Sequence, residues 1–186
     1  MLAKQTLMLQ RADFAGIPVV GYHLDIWWGL KREHQVEEEP FFRSNLVITA
    51  DGGHDEKWLE AGVNHVWFPP AVSAREAKTG MRRTRLESKL AFVGSWQGSY
   101  HEEHAHRFEL IAFLRKHFRN ICEFYPRIGQ EAVRGQELRD LYASVDVVVG
   151  DSCFAGSGLA NYWSDRIPET LGRGGFLLHP MVPGLE

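Results

Sequence analysis

Val145-Asp146-Val147-Val148-Val149-Gly150-Asp151-Ser152 opens the stretch that decides the fold, and Leu171-Gly172-Arg173-Gly174-Gly175-Phe176-Leu177-Leu178-His179-Pro180 closes it. The β-branched run 145–149 ends in Gly150. It reads as a buried parallel strand, because a strand covered on both faces carries a continuous apolar run and not an alternation. A loop with Asp151, Ser152, Gly156 and Gly158 follows. Residues 162–171 read as a helix, with the small polar Ser164 and Asp165 near its start and Gly172, Gly174 and Gly175 at its end. Residues 176–178 read as the next strand, stopped by Pro180. Strand, glycine-bearing loop, helix and strand predict an α/β protein built on Rossmann-like parallel sheets. Such sheets place ligands at the carboxyl ends of their strands. Asp151 and the helix start near Ser164, Asp165 and Arg166 are therefore expected to line one crevice. Free N–H groups at a helix start favour an anion. Arg166 adds a planar fork that fits two phosphate oxygens.

The same alternation extends back to Leu90. Residues 90–93 read as a strand entering the turn Gly94-Ser95-Trp96-Gln97-Gly98, where glycine lets backbone N–H groups approach a phosphate. That turn lacks the Lys and Ser/Thr of a P-loop. Residues 107–118 read as an amphipathic helix with Phe108, Ile111, Ala112 and Arg115 on one face. A strand over 121–125 follows, then Arg127 as a further phosphate contact, then a helix over 136–144. Strand and helix alternate throughout, as a right-handed parallel sheet requires.

The first part of the chain reads as a second α/β unit. A helix is expected over 2–14 and a strand over 17–21. His23 and Asp25 follow at that strand's carboxyl end. His23 titrates near neutrality and suits a general base toward a hydroxyl, with Asp25 doing the same or orienting it. The plain alternative is that His23 satisfies local backbone groups and Asp25 caps the next segment. Residues 46–49 form a strand ending near Asp51 and His54, 56–61 a short helix, and 63–68 a strand stopped by Pro69-Pro70. Trp27 and Trp28 read as core or as a sugar-stacking face. The basic stretch 73–89 reads as an interdomain linker.

Composition narrows the classes. The 186 residues are 44% hydrophobic with a net charge of −3. That is an ordinary globular make-up, with no field to draw nucleic acid or an anionic membrane. No apolar run reaches the roughly 20 residues of a membrane helix. Two cysteines, Cys122 and Cys153, make no disulfide scaffold, which predicts reduced thiols and a cytoplasmic protein. His101, His104 and His106 do not follow a His-Glu-x-x-His spacing, so no metal site is expected. Gly150-Asp151-Ser152-Cys153-Phe154 lacks the closing glycine of a nucleophile elbow, which argues against a serine hydrolase.

Ser164-Asp165-Arg166-Ile167-Pro168-Glu169-Thr170-Leu171-Gly172-Arg173-Gly174-Gly175-Phe176-Leu177 resembles the donor-binding segment of GT-B glycosyltransferases, nearest to the spore-maturation-like branch. The resemblance runs best from Phe92 onward, and the exit Trp67-Phe68-Pro69-Pro70-Ala71 is similar to the end of a GT-B N-terminal domain. It implies that Glu169 holds the ribose hydroxyls of a nucleotide sugar, a carboxylate having two acceptor oxygens. It also implies that the Gly94-Ser95 turn faces the diphosphate or the sugar. A second Glu, frequent eight positions earlier in the superfamily, is Asn161 here. The implied organisation is a partial acceptor-side domain at 1–72, a linker at 73–89 and a donor-binding domain at 90–186, shortened at both ends. The implied activity is metal-independent transfer of a sugar from a nucleotide donor to an unknown acceptor hydroxyl, without a cofactor. Donor contacts are expected from Gly94, Ser95, Arg127, Asp151, Ser164, Asp165, Arg166 and Glu169, and acceptor-side chemistry from His23 and Asp25. A partner chain that completes the fold is a further expectation. The alternatives are a non-catalytic nucleotide- or sugar-binding module, and a receiver-like regulatory domain built on Asp151.

Overall fold

The computed structural model describes residues 16–96, 105–152, 154–156 and 159–185. The helix expected over 2–14, the Gln97-Gly98 end of the glycine turn, His101, His104, Cys153 and Gly158 lie outside the described residues. The protein is mixed α/β, with two all-parallel sheets of Rossmann-like type. It divides into two compact units. One holds the described residues up to Pro70, with Leu159–Trp163 and 182–185; the other holds the described residues of 71–158 with Ser164–Met181. The C-terminal part is thus not one continuous half: two of its segments belong to the first unit. Among the described residues, no helix is long and apolar enough to cross a membrane.

The first unit is a three-stranded sheet in the order β1-β2-β3, formed by Val20–His23, Leu46–Thr49 and His65–Trp67. Strand β1 starts later than the 17–21 read from sequence. Pro18 lacks the N–H a ladder needs, and Val19 donates its N–H to the Asn45 side chain instead. Helices α1 (Gln35–Glu38) and α2 (Asp55–Glu60) and a 3₁₀ turn (Pro40–Arg43) follow the strands. Trp27, Val36, Phe42, Val47, Trp58 and Val63 form the core over one sheet face, so Trp27 is a core residue. Trp58 stacks on His65 with ring centroids 4.2 Å apart. Gly52 is needed where it is: a Cβ there would meet the Trp67 ring at 2.7 Å and Asn161 Cβ at 2.9 Å. Both partners belong to the first unit, and Trp163 closes the same side by donating its Nε1–H to the Pro70 carbonyl.

The second unit is a four-stranded sheet in the order β5-β4-β6-β7. Its strands are Ser88–Val93 (β4), Cys122–Tyr125 (β5), Val145–Val149 (β6) and Leu177–Leu178 (β7). Helices α3 (Ala105–His117), α4 (Gly135–Ser144) and α5 (Arg166–Gly172) connect them. Side chains alternate across the central strands. Ala91, Val145 and Val148 join Leu138, Leu141 and Tyr142 of α4 in one core. Phe92 and Val149 join Ile111 and Leu114 of α3 in another. The sheet is therefore covered on both faces, as the apolar β6 run required.

Two sequence readings change here. The face of α3 that packs inward carries Arg107, Ile111 and Leu114, while Phe108 is exposed, because Arg107 is drawn in by a buried partner described below. Residues 73–89 do not stand free as a linker. Met81 N–H donates to Asp140, Arg83 pairs with Asp140 at 2.9 Å, Arg139 pairs with Glu76 at 2.9 Å, and Leu86 enters the core. Of the charges that suggested a solvated stretch, Arg83 and Arg85 have partners on α4, and Arg82 and Lys89 pair with Asp146 of β6.

Candidate functional site

Strand β4 lies between β5, which follows it in sequence, and β6, which the chain reaches only after crossing back. The connections leaving β4 and β6 thus run in opposite directions, and a crevice opens at their carboxyl ends. A cavity of about 580 Å³ lies at this end of the second unit. Gly94, Ser95 and Trp96 line it from the β4 exit, Tyr125 and Pro126 from the β5 exit, Tyr142 from α4, and Asp165, Arg166, Glu169 and Arg173 from α5.

Helix α5 is shorter than the 162–171 expected. It starts at Arg166 and has seven residues, with Asp165 at the N-cap position making no side-chain cap bond. Pro168 explains the late start. It lacks an N–H, and its ring would clash with a helical carbonyl four residues earlier, so it fits only in a first turn. So short a helix makes no anion site by its N–H groups, and the burden falls on side chains.

Arg166 carries most of it. Its Nε–H donates to the Val93 carbonyl, and Nη1 lies 3.5 Å from Ser164 Oγ and 3.4 Å from Asp165 Oδ1. The guanidinium lies against Gly94, whose φ is +153°; a Cβ there would come within 2.5 Å of Cζ and 2.6 Å of Nε. Glycine at 94 is thus a condition for Arg166 being in the cavity. Glu169 is half-buried on the next turn. Burial, then the neighbouring Asp165 charge, raises its carboxyl above the ordinary Glu value. Arg173 is 5% exposed, with Nη1 on the Glu169 carbonyl at 3.1 Å and 3.8 Å from its carboxylate, Nη2 3.6 Å from Glu76, and Nε buried without a partner. Sequence reading missed Arg173. Its place four residues after Glu169, one helical turn on, is the signal that pairs them. Burial pushes the Tyr142 phenol up to about 12, so it stays protonated and can donate.

The structure thus brings Gly94, Ser95, Asp165, Arg166 and Glu169 together around one cavity. Ser164 stands behind Arg166 and supports it. Arg127 lies instead on an adjoining pocket, with Nη2 3.5 Å from Glu123 and 3.4 Å from the Tyr125 hydroxyl. Asp151 does not line the cavity. Its carboxylate takes Arg107 Nε at 2.5 Å and Nη2 at 3.2 Å, both side chains being 8% exposed, and its carbonyl meets His179 Nε2 at 2.8 Å. Arg107 also donates to the Ser95 carbonyl at 3.2 Å. Asp151 therefore ties the β6 exit to α3 and to the β4 turn.

In the first unit, Asp25 accepts from the Ile26 N–H at 2.9 Å and pairs with Arg32 at 2.8 Å, which is the capping alternative. His23 packs edge-on against Trp27 and Phe41 at 5.6 and 6.2 Å, with Nδ1 buried and unpartnered. Asp51, noted in the sequence only as a polar group past β2, is fully buried there. Among the described residues no cluster of three metal-ligating side chains occurs. No protein-family model matches this chain, and no curated protein matches it in sequence.

Proposed function

We propose that the second unit binds a nucleotide sugar in the cavity beside β4, and that the protein is a GT-B-like glycosyltransferase. The observation that carries this reading is the pairing of Arg166 over Gly94 with the Glu169 carboxylate one turn on, at the carboxyl end of a parallel sheet. The guanidinium offers a fork for diphosphate oxygens. The carboxylate offers two acceptors for the ribose hydroxyls, and Arg173 keeps it aimed. The volume suits a ligand of that size, within the several hundred Å³ usual for small-molecule sites. The resemblance of residues 164–177 to donor-binding segments supports the same assignment.

In transfer, the bond between the anomeric carbon and the phosphate oxygen breaks, and the acceptor oxygen bonds that carbon. The nucleoside diphosphate leaves with the electron pair. Arg166 stabilises the charge that grows on it, and the acceptor's proton goes to a base. The receiver-like reading asks for an accessible aspartate, and Asp151 is enclosed with Arg107. The test is release of nucleoside diphosphate from UDP-glucose, GDP-mannose and ADP-glucose, with and without sugar acceptors. Turnover that Glu169→Ala abolishes supports a transferase. Tight binding with no turnover on any acceptor points to a non-catalytic module.

A further inference from the structure

All-parallel sheets occur almost only with both faces covered. The second unit's sheet obeys this, with α4 packed on one face and α3 on the other. The first unit's sheet carries its core on one face. The registers set Gly21, Val47 and His65 side by side there, with Phe41 against Gly21, Val47 in the core and Trp58 on His65. Strand alternation sends Val20, Tyr22, Leu46, Ile48 and Val66 to the other face. Phe68 joins them: its N–H continues the ladder to the Thr49 carbonyl, and its ring lies 6.4 Å from that of Tyr22. Tyr22, Ile48 and Val66 form one row across the three strands. On this face Val20 is 56% exposed, Tyr22 54%, Val66 46% and Phe68 47%, while Leu46 and Ile48 are half-buried.

We propose that this face is the interface of a homodimer, a second copy of the chain packing sheet against sheet. None of the six side chains is charged, and depletion of charge is what marks the centre of a protein interface. A two-fold axis sets such a face against itself, so apolar side chains meet apolar side chains and no charge loses its water. The size fits as well. At half exposure an aliphatic side chain offers roughly 30–60 Å² and an aromatic one roughly 75–125 Å², so the face presents about 300–450 Å² of apolar surface. Homodimer interfaces are about 65% apolar, so this corresponds to about 500–700 Å² per copy. Two copies then bury about 1,000–1,400 Å², which reaches the range of specific interfaces.

The experiment measures mass by sedimentation equilibrium from about 1 to 100 μM chain, with the urea midpoint at both ends of that range. The proteins are wild type, Tyr22→Glu, Val66→Glu and Leu59→Glu. Leu59 is 80% exposed on α2, which packs on the covered face through Trp58. Wild type is expected to reach twice the 21.2 kDa of one chain, with a urea midpoint that rises with concentration. Tyr22→Glu and Val66→Glu each bury two carboxylates in an apolar interface and are expected to weaken the dimer about 30-fold or more. Both positions are exposed in the single chain, so circular dichroism is expected to show the fold kept. Leu59→Glu is expected to dimerise as wild type does. Should a glutamate variant fail to fold, Tyr22→Thr and Val66→Thr read the same interface with a smaller loss. A wild-type mass of one chain across the range overturns the proposal and gives the face to another occupant: residues 1–15 of the same chain if the Tyr22 and Val66 variants also lose stability, a different protein if they do not. A dimer that survives both glutamates, or that Leu59→Glu disperses equally, overturns it too.

Discussion

Replacing Gly94 by alanine separates the site's two features, the glycine and the arginine above it. The added methyl would lie 2.5 Å from Arg166 Cζ and 2.6 Å from Nε, closer than any real contact. The backbone of β4 is fixed by β5 and β6, while the guanidinium is the far end of a flexible side chain, so the arginine yields. Its bond to the Val93 carbonyl is lost, and so is its position over the cavity. Two effects follow. Alanine at φ +153° stores strain of about 1–3 kcal/mol, which lowers the melting temperature by roughly 2–12 °C. A charge-assisted contact to the diphosphate is worth about 1.5–3 kcal/mol, which is about 10- to 100-fold in affinity. Calorimetric titration with a nucleoside diphosphate reads the second effect. Because the alanine acts by displacing Arg166, Gly94→Ala combined with Arg166→Ala is expected to bind no worse than Arg166→Ala alone. Wild-type affinity in Gly94→Ala, or additive losses in the double variant, would refute the reasoning.

Three further outcomes follow from the buried charges. Glu169 is raised above the ordinary carboxylate value by burial and by Asp165, and only its ionised form accepts both ribose hydroxyls. Nucleotide affinity is therefore expected to fall on acidification before an ordinary carboxylate would protonate; titrations between about pH 5 and 8 check this. Asp151→Asn leaves Arg107 without its buried carboxylate and is expected to cost about 3 kcal/mol or more in denaturant unfolding, with nucleotide affinity changing little in the protein that stays folded. Asp51 has a native pKa of about 6, raised from 3.8, so the native state binds its proton more tightly than the unfolded chain does. The stability this contributes is present below the unfolded value and is lost as pH rises through about 6, a decline of about 1–3 kcal/mol. Asp51→Asn is expected to flatten that decline in urea unfolding followed from pH 4 to 7.

The elements were legible where one local rule decides. The Val145–Val149 run reads as a strand covered on both faces, and the structure buries Val145 and Val148 against α4 and Val149 against α3. Pro168 and the Ser164-Asp165 pair both set the start of α5 near Arg166, later than the 162 expected. The pairing of Arg107 with Asp151 was not legible, because 44 residues separate them and no periodicity links a helix residue to a strand exit. Without that pairing, Arg107 looks like a surface residue and Asp151 like a free ligand. The partners of 73–89 on α4 were hidden for the same reason. Arg166 and Glu169 were legible because their spacing on one short helix is a local property. The role of Gly94 was not, since it depends on which side chain crosses the turn. Asp51 illustrates the limit most clearly. Its position after a strand was visible, while its burial depends on backbone N–H groups of Trp27 and Trp28, brought in from another loop.

The central claim is that the cavity beside β4 holds a nucleotide through Arg166 and Glu169. Calorimetric titration of the whole chain with nucleoside diphosphates and nucleotide sugars tests it most directly, repeated on Arg166→Ala and Glu169→Ala. The account predicts saturable binding to wild type, weakened about tenfold or more in each variant. Absence of binding to every nucleotide, or affinity that survives both substitutions, would contradict it.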